Sequence, residues 1–363
     1  MKIIYDARWL LVEKRFDGVS RYSHELAWAL SRQPGLEITW LVYDKRQLEL
    51  LPKGDAIFAN NPSNGLAETF LLAHTLNKHG AQLVYSPFFV MGTLGKHYKL
   101  VLTIHDMIYF THTTPPQWLP WHTRVGWRLF HLSYWPMRFQ LNRADRVATV
   151  SATARQELLD ARATKRAISV VSNAAASTFT DDKHREHWQS RRIVYMGAVT
   201  PYKNAECLID ALLHLPDEYT LALCGKIPPA RMPELLEFIA ERGLGERVTL
   251  HDGTTDEEYK AELSHALCSA SASLAEGFGL PIIEAQQRGV PFVAADTPIF
   301  HEVGEDSVLY FDPKDPEEFA RVVQTLTDKK TSHELIARGH RNAARYIWDA
   351  SGEAAANICQ QIQ

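Results

Sequence analysis

Short apolar runs alternate with helical patterns along the whole chain, and this alternation limits the fold more than any other feature. Strands separated by helices are typical of α/β proteins, because neighbouring parallel strands require a crossover connection. Ten runs are predicted to be strands, five on each side of a small, polar and charged stretch at 173–190. They are Ile3–Tyr5, Ile38–Tyr43, Leu83–Tyr85, Leu100–Ile104, Val147–Val150, Ile193–Met196, Thr220–Leu223, Val248–Leu250, Pro291–Ala294 and Val308–Phe311. The sequence therefore predicts two doubly wound parallel-sheet domains, residues 1–172 and 191–346, joined by a linker at 173–190.

Composition excludes several functional classes. The formal net charge of −4 and the pI near 6.5 do not favour nucleic-acid binding. The four cysteines are scattered and form no C-x-x-C pair, so neither a disulfide framework nor a zinc site is predicted. No apolar run approaches the ~20 residues of a membrane span, and Asp6 comes too early for a signal peptide. We therefore expect a cytoplasmic protein, at most peripheral on the inner face of the cytoplasmic membrane.

A glycine-rich stretch at 275–285 is the most informative local feature. Gly277 and Gly279 allow close approach of a ligand to the backbone, and Pro281 suits the first position of a helix. Unpaired N–H groups at such a helix start bind phosphate. Glu276 stands in the loop and Glu284 about one turn into the helix, and ionised carboxylates accept hydrogen bonds from diols. The stretch predicts a ligand with both phosphate and sugar hydroxyls, unless Glu284 only stabilises the helix dipole and Glu276 is merely solvated.

This stretch resembles the E-x7-E signature of retaining glycosyltransferases of family four. The resemblance rests on Glu276 and Glu284, on the intervening G-F-G-L-P at 277–281 and on the Gly-Val-Pro at 289–291. It implies the GT-B fold, in which two Rossmann-like domains face each other across a cleft. It also implies that the final helix, 347–363, crosses back onto the N-terminal domain.

The same resemblance implies a set of donor contacts. Glu276 is expected to hold hydroxyls of the donor sugar, and Glu284 the ribose diol. His105, in a T-x-H-D string at 103–106, is expected to face the sugar, although a lone histidine at a strand end is also compatible with a core residue. The remaining contacts expected in the glycine-rich stretch are those of Gly277, Phe278, Gly279 and Leu280.

The loop at 17–22 follows the first strand and leads into a helix. It is similar to the G-V-x-R-Y loop of the family, which implies that Gly18 and Arg21 meet the donor. A strand–glycine–helix turn is also common without any ligand. Ser20 is expected to cap this helix, and Ser151 to cap a later one.

The loop after Met196 resembles the family's phosphate clamp, a Gly followed six residues later by a Lys. Gly197 and Lys203 match this pattern, but the positions that usually supply a second cation hold Ala198 and Tyr202. Lys226, at the end of the next strand, is either a donor contact or an exposed loop lysine. The candidates to replace the second cation are Arg8, Arg21 and Lys226.

Residues 107–144 contain no acid. They interleave tryptophans with arginines, a combination that anionic lipid surfaces attract. One interpretation is therefore contact of 118–143 with a membrane, and the other is a long helix that packs its tryptophans into the N-terminal domain. The residues concerned are Trp118, Trp121, Trp127, Trp135, Arg124, Arg128, Arg138 and Arg143.

Together the motifs predict a retaining, metal-independent glycosyltransferase that moves a hexose from a nucleotide diphosphate sugar to a hydroxyl of a glycan or lipid-linked glycan. The D-A-R at 6–8 and the G-V-x-R-Y loop resemble bacterial enzymes of cell-surface polysaccharide synthesis, which favours mannose from GDP-mannose. The family implies that the donor phosphate deprotonates the acceptor, so that Lys203, Glu276 and His105 act by positioning and charge stabilisation. No D-x-D-like diad stands at a strand end, so neither a metal nor another cofactor is expected.

Two alternatives are compatible with the same residues. A glycoside phosphorylase would use the site with inorganic phosphate. The missing second cation supports a non-catalytic nucleotide-sugar-binding protein, whereas the presence of Glu276, Glu284, Lys203 and His105 argues against it. A dehydrogenase is not favoured, because the loop at 17–22 is no G-x-G-x-x-G.

Overall fold

The structure, a computed structural model, describes residues 1–12, 18–63, 65–115, 121–176 and 186–363. The chain divides into two compact units. The first comprises Met1–Thr111, Leu129–Asn173 and Ile347–Gln363, and the second His112–Arg128 and Ala174–Tyr346. This division counts the segment 112–128 with the second unit, whereas the sequence places it in the N-terminal domain. Residues 177–185 of the predicted linker lie outside the described residues.

The first unit contains a seven-stranded parallel sheet. Its strands are β1 (Lys2–Asp6), β2 (Glu37–Val42), β3 (Asp55–Phe58), β4 (Leu83–Ser86), β5 (Lys99–Ile104), β6 (Arg146–Thr149) and β7 (Ile168–Val170). The order β3-β2-β1-β4-β5-β6-β7 reverses between β1 and β4, which is the switch point of a doubly wound sheet. Every residue of β4 is buried, as expected for a strand covered on both faces.

The second unit contains a six-stranded parallel sheet. Its strands are β8 (Arg192–Met196), β9 (Thr220–Gly225), β10 (Val248–Asp252), β11 (Ala266–Ser271), β12 (Phe292–Ala295) and β13 (Leu309–Phe311). The order β10-β9-β8-β11-β12-β13 places the switch point between β8 and β11. Aliphatic and aromatic side chains of these strands form one core with the helices of this unit.

Helices connect most successive strands in both units. In chain order they are α1 (Gly18–Ser31), α2 (Gly65–Lys78), α3 (Ile108–Thr111), α4 (Trp121–His131), α5 (Trp135–Asn142), α6 (Ala152–Asp160), α7 (Ala205–Ala211), α8 (Arg231–Glu241), α9 (Asp256–Ser264), α10 (Leu280–Gln287), α11 (Pro298–Gly304), α12 (Pro316–Thr325), α13 (Lys329–Ala343) and α14 (Trp348–Ile362). The predicted cap at Ser151 is confirmed, because its hydroxyl accepts the N–H of Ala154 at 3.0 Å at the start of α6.

Helix α14 packs against α1 within the first unit. A Cβ on Gly352 would lie 2.8 Å from the backbone of Ala29, so the two helices approach more closely than any side chain there allows. Trp348 meets the ring of Tyr22 edge-on at 5.9 Å. The Ser351 hydroxyl donates to the carbonyl of Ser172 at 2.7 Å.

The prediction of two doubly wound parallel sheets is confirmed, as are all ten predicted strands to within one or two residues at their ends. Three strands were not predicted. β3 and β7 are only four and three residues long. β11 is buried throughout, but its sequence A-L-C-S-A-S lacks the β-branched and aromatic residues that mark a strand.

Candidate active site

Two loops meet at the switch point of the second sheet. β8 and β11 are paired neighbours, with Tyr195 opposite Ala270, so the loops that follow them leave the same edge of the sheet side by side. Doubly wound sheets bind their ligands at this position. The predicted phosphate loop, 197–203, follows β8, and the E-x7-E stretch, 276–284, follows β11. The structure thus brings together the two motifs of the second half that the sequence singles out.

The closest contact between the two loops joins Lys203 to Glu276. Nζ of Lys203 lies 2.6 Å from Oε1 of Glu276, and the two side chains are only 14% and 15% exposed. The backbone adds a second link, because the N–H of Leu274 donates to the carbonyl of Tyr202 at 2.9 Å. Two residues to which the sequence gives separate roles therefore form one ion pair, sheltered from solvent.

The loop after β8 is shaped by a tight approach of β9. A Cβ on Gly225 would lie 2.3 Å from the carbonyl oxygen of Gly197, so only glycine fits at 225. Here the N–H of Gly197 donates to the carbonyl of Cys224 at 2.9 Å. The buried Tyr195 hydroxyl donates to the carbonyl of Ala198 at 3.0 Å, and burial raises the pKa of this phenol well above its ordinary value. Tyr195 therefore stays neutral, and its hydroxyl anchors the loop after β8 through the carbonyl of Ala198.

The turn that aims Lys203 is fixed at its end. Pro201–Lys203 form one turn of 3-10 helix, and Asn204 follows in the left-handed region with φ of 54°. The side-chain amide of Asn204 donates to the carbonyl of Pro313 at 2.8 Å. Asparagine tolerates left-handed backbone better than most residues, so this position combines conformation and anchoring.

The glycine loop after β11 opens into α10 as predicted. Gly279 has φ of 92° and precedes the first helical residue, Leu280, while Pro281 is the second residue of the helix rather than the first. Phe278 is buried, and its ring meets Tyr346 edge-on at 5.3 Å. This packing fixes the loop just after Gly277, and the first turn of α10 directs its N–H groups towards the loop, where they could bind an anion.

Glu284 and Lys226 occupy different environments. Glu284 lies on the second turn of α10 and is buried, with 6% exposure. Lys226 follows β9 and its side chain is exposed. The carbonyl of Lys226 accepts the N–H of Val199 at 3.1 Å, so the backbone at this position supports the phosphate loop.

Within the first unit, His105 and the start of α1 come together. Nε2 of His105 lies 2.9 Å from the carbonyl oxygen of Pro87, and because a carbonyl only accepts, Nε2 carries a proton. The imidazole meets the ring of Tyr22 edge-on at 4.7 Å. His105 is therefore oriented by its neighbours rather than loosely placed at the end of β5.

The predicted cap at Ser20 is wrong. Helix α1 already includes Gly18, which is exposed, and Arg21, which is partly buried. Ser20 lies in the first turn, and its hydroxyl accepts the N–H of Leu11 at 2.8 Å, so it ties the preceding chain to the helix. Asp17, at the start of the predicted loop, lies outside the described residues.

Arg8 is not a free cation. Its side chain is buried and donates to Asp6 at 2.8 and 2.9 Å and to Glu68 at 2.7 and 3.1 Å. Burial lowers the pKa of this guanidinium, but the two carboxylates outweigh burial and raise it overall. Arg8 therefore joins β1 to α2 and does not replace the second cation. Glu68 could not be recognised in the sequence as a partner of Arg8, because the two residues are 60 positions apart.

The acid-free segment forms two short helices, α4 and α5, rather than one long one. The core-packing interpretation is wrong for Trp121 and Trp135, which are 78% and 68% exposed. Trp127 is half-buried, and Trp118 lies outside the described residues. Arg138 donates to the carbonyl of Ala161 at 2.6 Å and so has a structural role. Among the helices of the described residues, none is long and apolar enough to span a bilayer.

The described residues include no group of three or more His, Cys, Asp or Glu side chains arranged to hold a metal ion. The cysteines at 207, 224, 268 and 359 are all buried thiols. The absence of a metal requirement remains a prediction.

Two family models divide almost the whole chain between them. The model described as Glycosyltransferase Family 4 matches residues 16–176, and the model described as Glycosyl transferases group 1 matches residues 177–342. The chain belongs to glycosyltransferase family four. The border between the two matches falls close to the division of the chain into its two units.

Individual relatives agree with the assignment of this enzyme to family four. It is 27% identical to the O-antigen chain mannosyltransferase RfbU of Salmonella typhimurium, over 73% of this chain and 75% of that protein. It is also 27% identical to the O-antigen chain mannosyltransferase B of Escherichia coli, over 96% of this chain and 97% of that protein. The structure of Anabaena Alr3699/HepE in complex with UDP and glucose is similar, with a TM-score of 0.74 and 20% sequence identity. The match covers 99% of this chain and 100% of that chain. The GT-B fold class is thereby confirmed, and the roles of individual site residues remain predictions.

Proposed function

We propose that this family-four glycosyltransferase moves a hexose, with mannose as the first candidate, from a nucleotide diphosphate sugar to a glycan or lipid-linked glycan in surface polysaccharide synthesis. The contact of Lys203 with Glu276 at the switch point carries the proposal. A cation for a diphosphate and a carboxylate for sugar hydroxyls stand side by side there, next to the start of a helix. The names of the two mannosyltransferase relatives support the sugar and the pathway.

In the proposed reaction the donor diphosphate competes with Glu276 for Lys203. When the diphosphate binds Nζ of Lys203, Glu276 is released to accept hydrogen bonds from hydroxyls of the sugar. The N–H groups around Gly277 and Gly279 add to the stabilisation of the diphosphate as its charge grows. Glu284 is assigned to the ribose diol and His105 to the sugar.

We propose that the reaction retains the anomeric configuration and needs no metal. The acceptor hydroxyl attacks the anomeric carbon on the face from which the diphosphate leaves. The bond from the anomeric carbon to the diphosphate oxygen breaks, and a diphosphate oxygen takes the proton of the hydroxyl. The protein supplies position and charge stabilisation, so no side chain acts as general base. The second cation is assigned to Arg21 or Lys226, since Arg8 is buried in an ion cluster.

We propose further that α4 and α5 contact an anionic membrane surface. Trp121, Leu132 and Trp135 are 78%, 76% and 68% exposed, in a segment without acids. Exposed aromatic and aliphatic side chains with arginines between them are the composition that anionic lipid headgroups attract.

Release of nucleoside diphosphate tests the proposal. The purified protein is incubated with GDP-mannose and, in parallel, with UDP, ADP and TDP sugars, with a glycan acceptor and with a chelator. We expect release of nucleoside diphosphate from one donor despite the chelator, and a product whose one-bond coupling between the anomeric carbon and its proton is that of the same anomer as in the donor. Binding of every donor without release would assign the chain to nucleotide-sugar-binding proteins, and release of sugar phosphate from a disaccharide with inorganic phosphate would assign it to the phosphorylases.

A further inference from the structure

A cavity of about 500 Å³ lies in the first unit, and none of the residues that line it is assigned to the donor. It is enclosed by the start of α2, the loop that follows β4, and α5 together with the end of α4. Its volume falls within the range of small-molecule sites, roughly 300–1,000 Å³. Six of the residues that shape it are Thr69, Val90, Met91, Leu94, Trp135 and Phe139.

The wall of the cavity is apolar, and apolar side chains continue from it onto the surface. Leu94, Trp135 and Phe139 are 56%, 68% and 55% exposed although all three line the cavity. Phe139 stacks on Trp135 with ring centroids 5.8 Å apart. Large apolar side chains that remain exposed around an opening mark a place where an apolar partner is bound.

The acid in the wall, Glu68, is held in place by hydrogen bonds. Glu68 accepts hydrogen bonds from both terminal nitrogens of Arg8, from the side-chain amide of Asn60 at 2.8 Å and from the N–H of Gly92 at 3.0 Å. A Cβ on Gly92 would lie 1.7 Å from the carbonyl oxygen of Glu68, so the loop and α2 are in direct backbone contact. The buried cluster therefore fixes this side of the cavity, and each carboxylate oxygen of Glu68 accepts two hydrogen bonds, although Asp6 and Glu68 together carry one more charge than Arg8.

Arg143, which follows α5, also lines the cavity. Arg143 donates through Nε to the Thr93 hydroxyl at 2.9 Å and through Nη2 to the Thr93 carbonyl at 2.8 Å. No carboxylate of the described residues forms a salt bridge with it. The cavity thus combines an apolar interior with one fixed positive charge, which is complementary to a hydrocarbon chain that ends in a phosphate or diphosphate.

We propose that this cavity binds the hydrocarbon chain of a lipid-linked acceptor, with Arg143 beside the phosphorylated end of the chain. The identification of the ligand as an acceptor rests on the proposed function. Binding of the hydrocarbon chain itself does not require that the enzyme turns over. A free glycan is not favoured, because the wall offers few groups that hydrogen-bond to hydroxyls. The acid-free composition of 107–144 favours the same anionic, apolar ligand over a basic protein segment.

A long-chain alkyl diphosphate is the probe, with inorganic diphosphate as the form that lacks the chain. Calorimetry on the full-length protein is expected to show at least tenfold tighter binding of the alkyl form, equivalent to about 1.4 kcal/mol. Phe139→Asp is expected to remove this difference. Phe70→Asp is the matched control, because Phe70 is an aromatic residue of α2 with 58% exposure that does not line the cavity. Trp135→Ala is the second test variant if Phe139→Asp fails to fold by circular dichroism.

Equal affinity for the two diphosphates, or an equal loss in the Phe139 and Phe70 variants, overturns the proposal. So does a dimer of the protein alone that Phe139→Asp dissociates, since a second copy would then occupy the cavity. In the enzymatic assay, the KM of an acceptor with the chain is expected to be at least tenfold below that of the same glycan without it, and Phe139→Asp should abolish this ratio. If no donor turns over but the alkyl diphosphate binds, the proposed function fails while the cavity assignment stands.

Discussion

Replacing Glu276 with glutamine separates the two halves of its proposed role. In the structure Oε1 of Glu276 lies 2.6 Å from Nζ of Lys203, so Glu276 occupies the cation that we assign to the donor diphosphate. Glutamine keeps the shape and most of the hydrogen-bonding capacity but loses the charge. We therefore expect Glu276→Gln to bind free nucleoside diphosphate slightly more tightly while it turns the donor over more slowly.

The expected changes in affinity and turnover follow from the solvent exposure of the Lys203–Glu276 ion pair. The two side chains are 14% and 15% exposed, so the pair is neither deeply buried nor fully solvated. An ion pair near the surface contributes about 0.5–1 kcal/mol, and its removal should lower the Kd for nucleoside diphosphate roughly two- to fivefold. Loss of a hydrogen bond from a charged acceptor to the sugar costs about 1.5–3 kcal/mol, which corresponds to a fall in kcat of roughly ten- to a hundredfold.

Calorimetry with the nucleoside diphosphate and steady-state kinetics with the intact donor measure the two effects on the same preparation. Glu284→Gln is the matched control, because it removes a carboxylate eight residues further on that is assigned to the ribose. That variant should weaken binding of the nucleoside diphosphate about tenfold, as expected for one lost charged hydrogen bond. A loss of nucleoside diphosphate affinity in Glu276→Gln equal to that in Glu284→Gln, or unchanged turnover, would refute the reasoning.

Three further outcomes follow from the contacts described above. Lys203→Ala should lower kcat by roughly a hundredfold or more, and a comparable fall in Lys226→Ala would locate the second cation, whereas full activity in the latter moves that role to Arg21. Combined Arg124→Glu and Arg128→Glu should weaken sedimentation with phosphatidylserine vesicles roughly thirtyfold, at about 1 kcal/mol per basic residue, and neutral vesicles serve as control; if the wild type ignores anionic vesicles at low salt, the membrane proposal fails. Gly225→Ala should lower the melting temperature and nucleotide affinity together, since its Cβ would lie 2.3 Å from a backbone oxygen, and an unchanged melting curve would show that the loop yields.

Local sequence was sufficient for the two motif loops of the second unit and for most strands. The glycine loop before α10 and the loop after β8 that carries Lys203 both lie where the pattern predicted them. Strands rich in Val, Ile, Leu and aromatic residues were equally readable. β11 was not, because alanine, serine and cysteine fill most of this buried strand and none of them favours a strand.

Contacts between residues that are far apart in the sequence could not be predicted from sequence patterns. Arg8 stands at a strand end, where a donor contact is reasonable, and only the fold brings Glu68 and Asp6 against it. The pair of Lys203 and Glu276 joins residues 73 positions apart. Tyr195, which supports the phosphate loop through the Ala198 carbonyl, looks in sequence like any other aromatic residue of a strand.

The packing of α14 onto α1 also has a consequence for biosynthesis. The first unit is assembled from separate stretches of chain, and the whole second unit is synthesised before residues 347–363 appear. Until then the face of α1 that carries Ala29, and the ring of Tyr22, lack their partners on α14. The unit whose synthesis begins first is therefore completed last. The final step of its folding is the docking of α14 onto α1, a long-range contact, and until then apolar surface of α1 stays exposed.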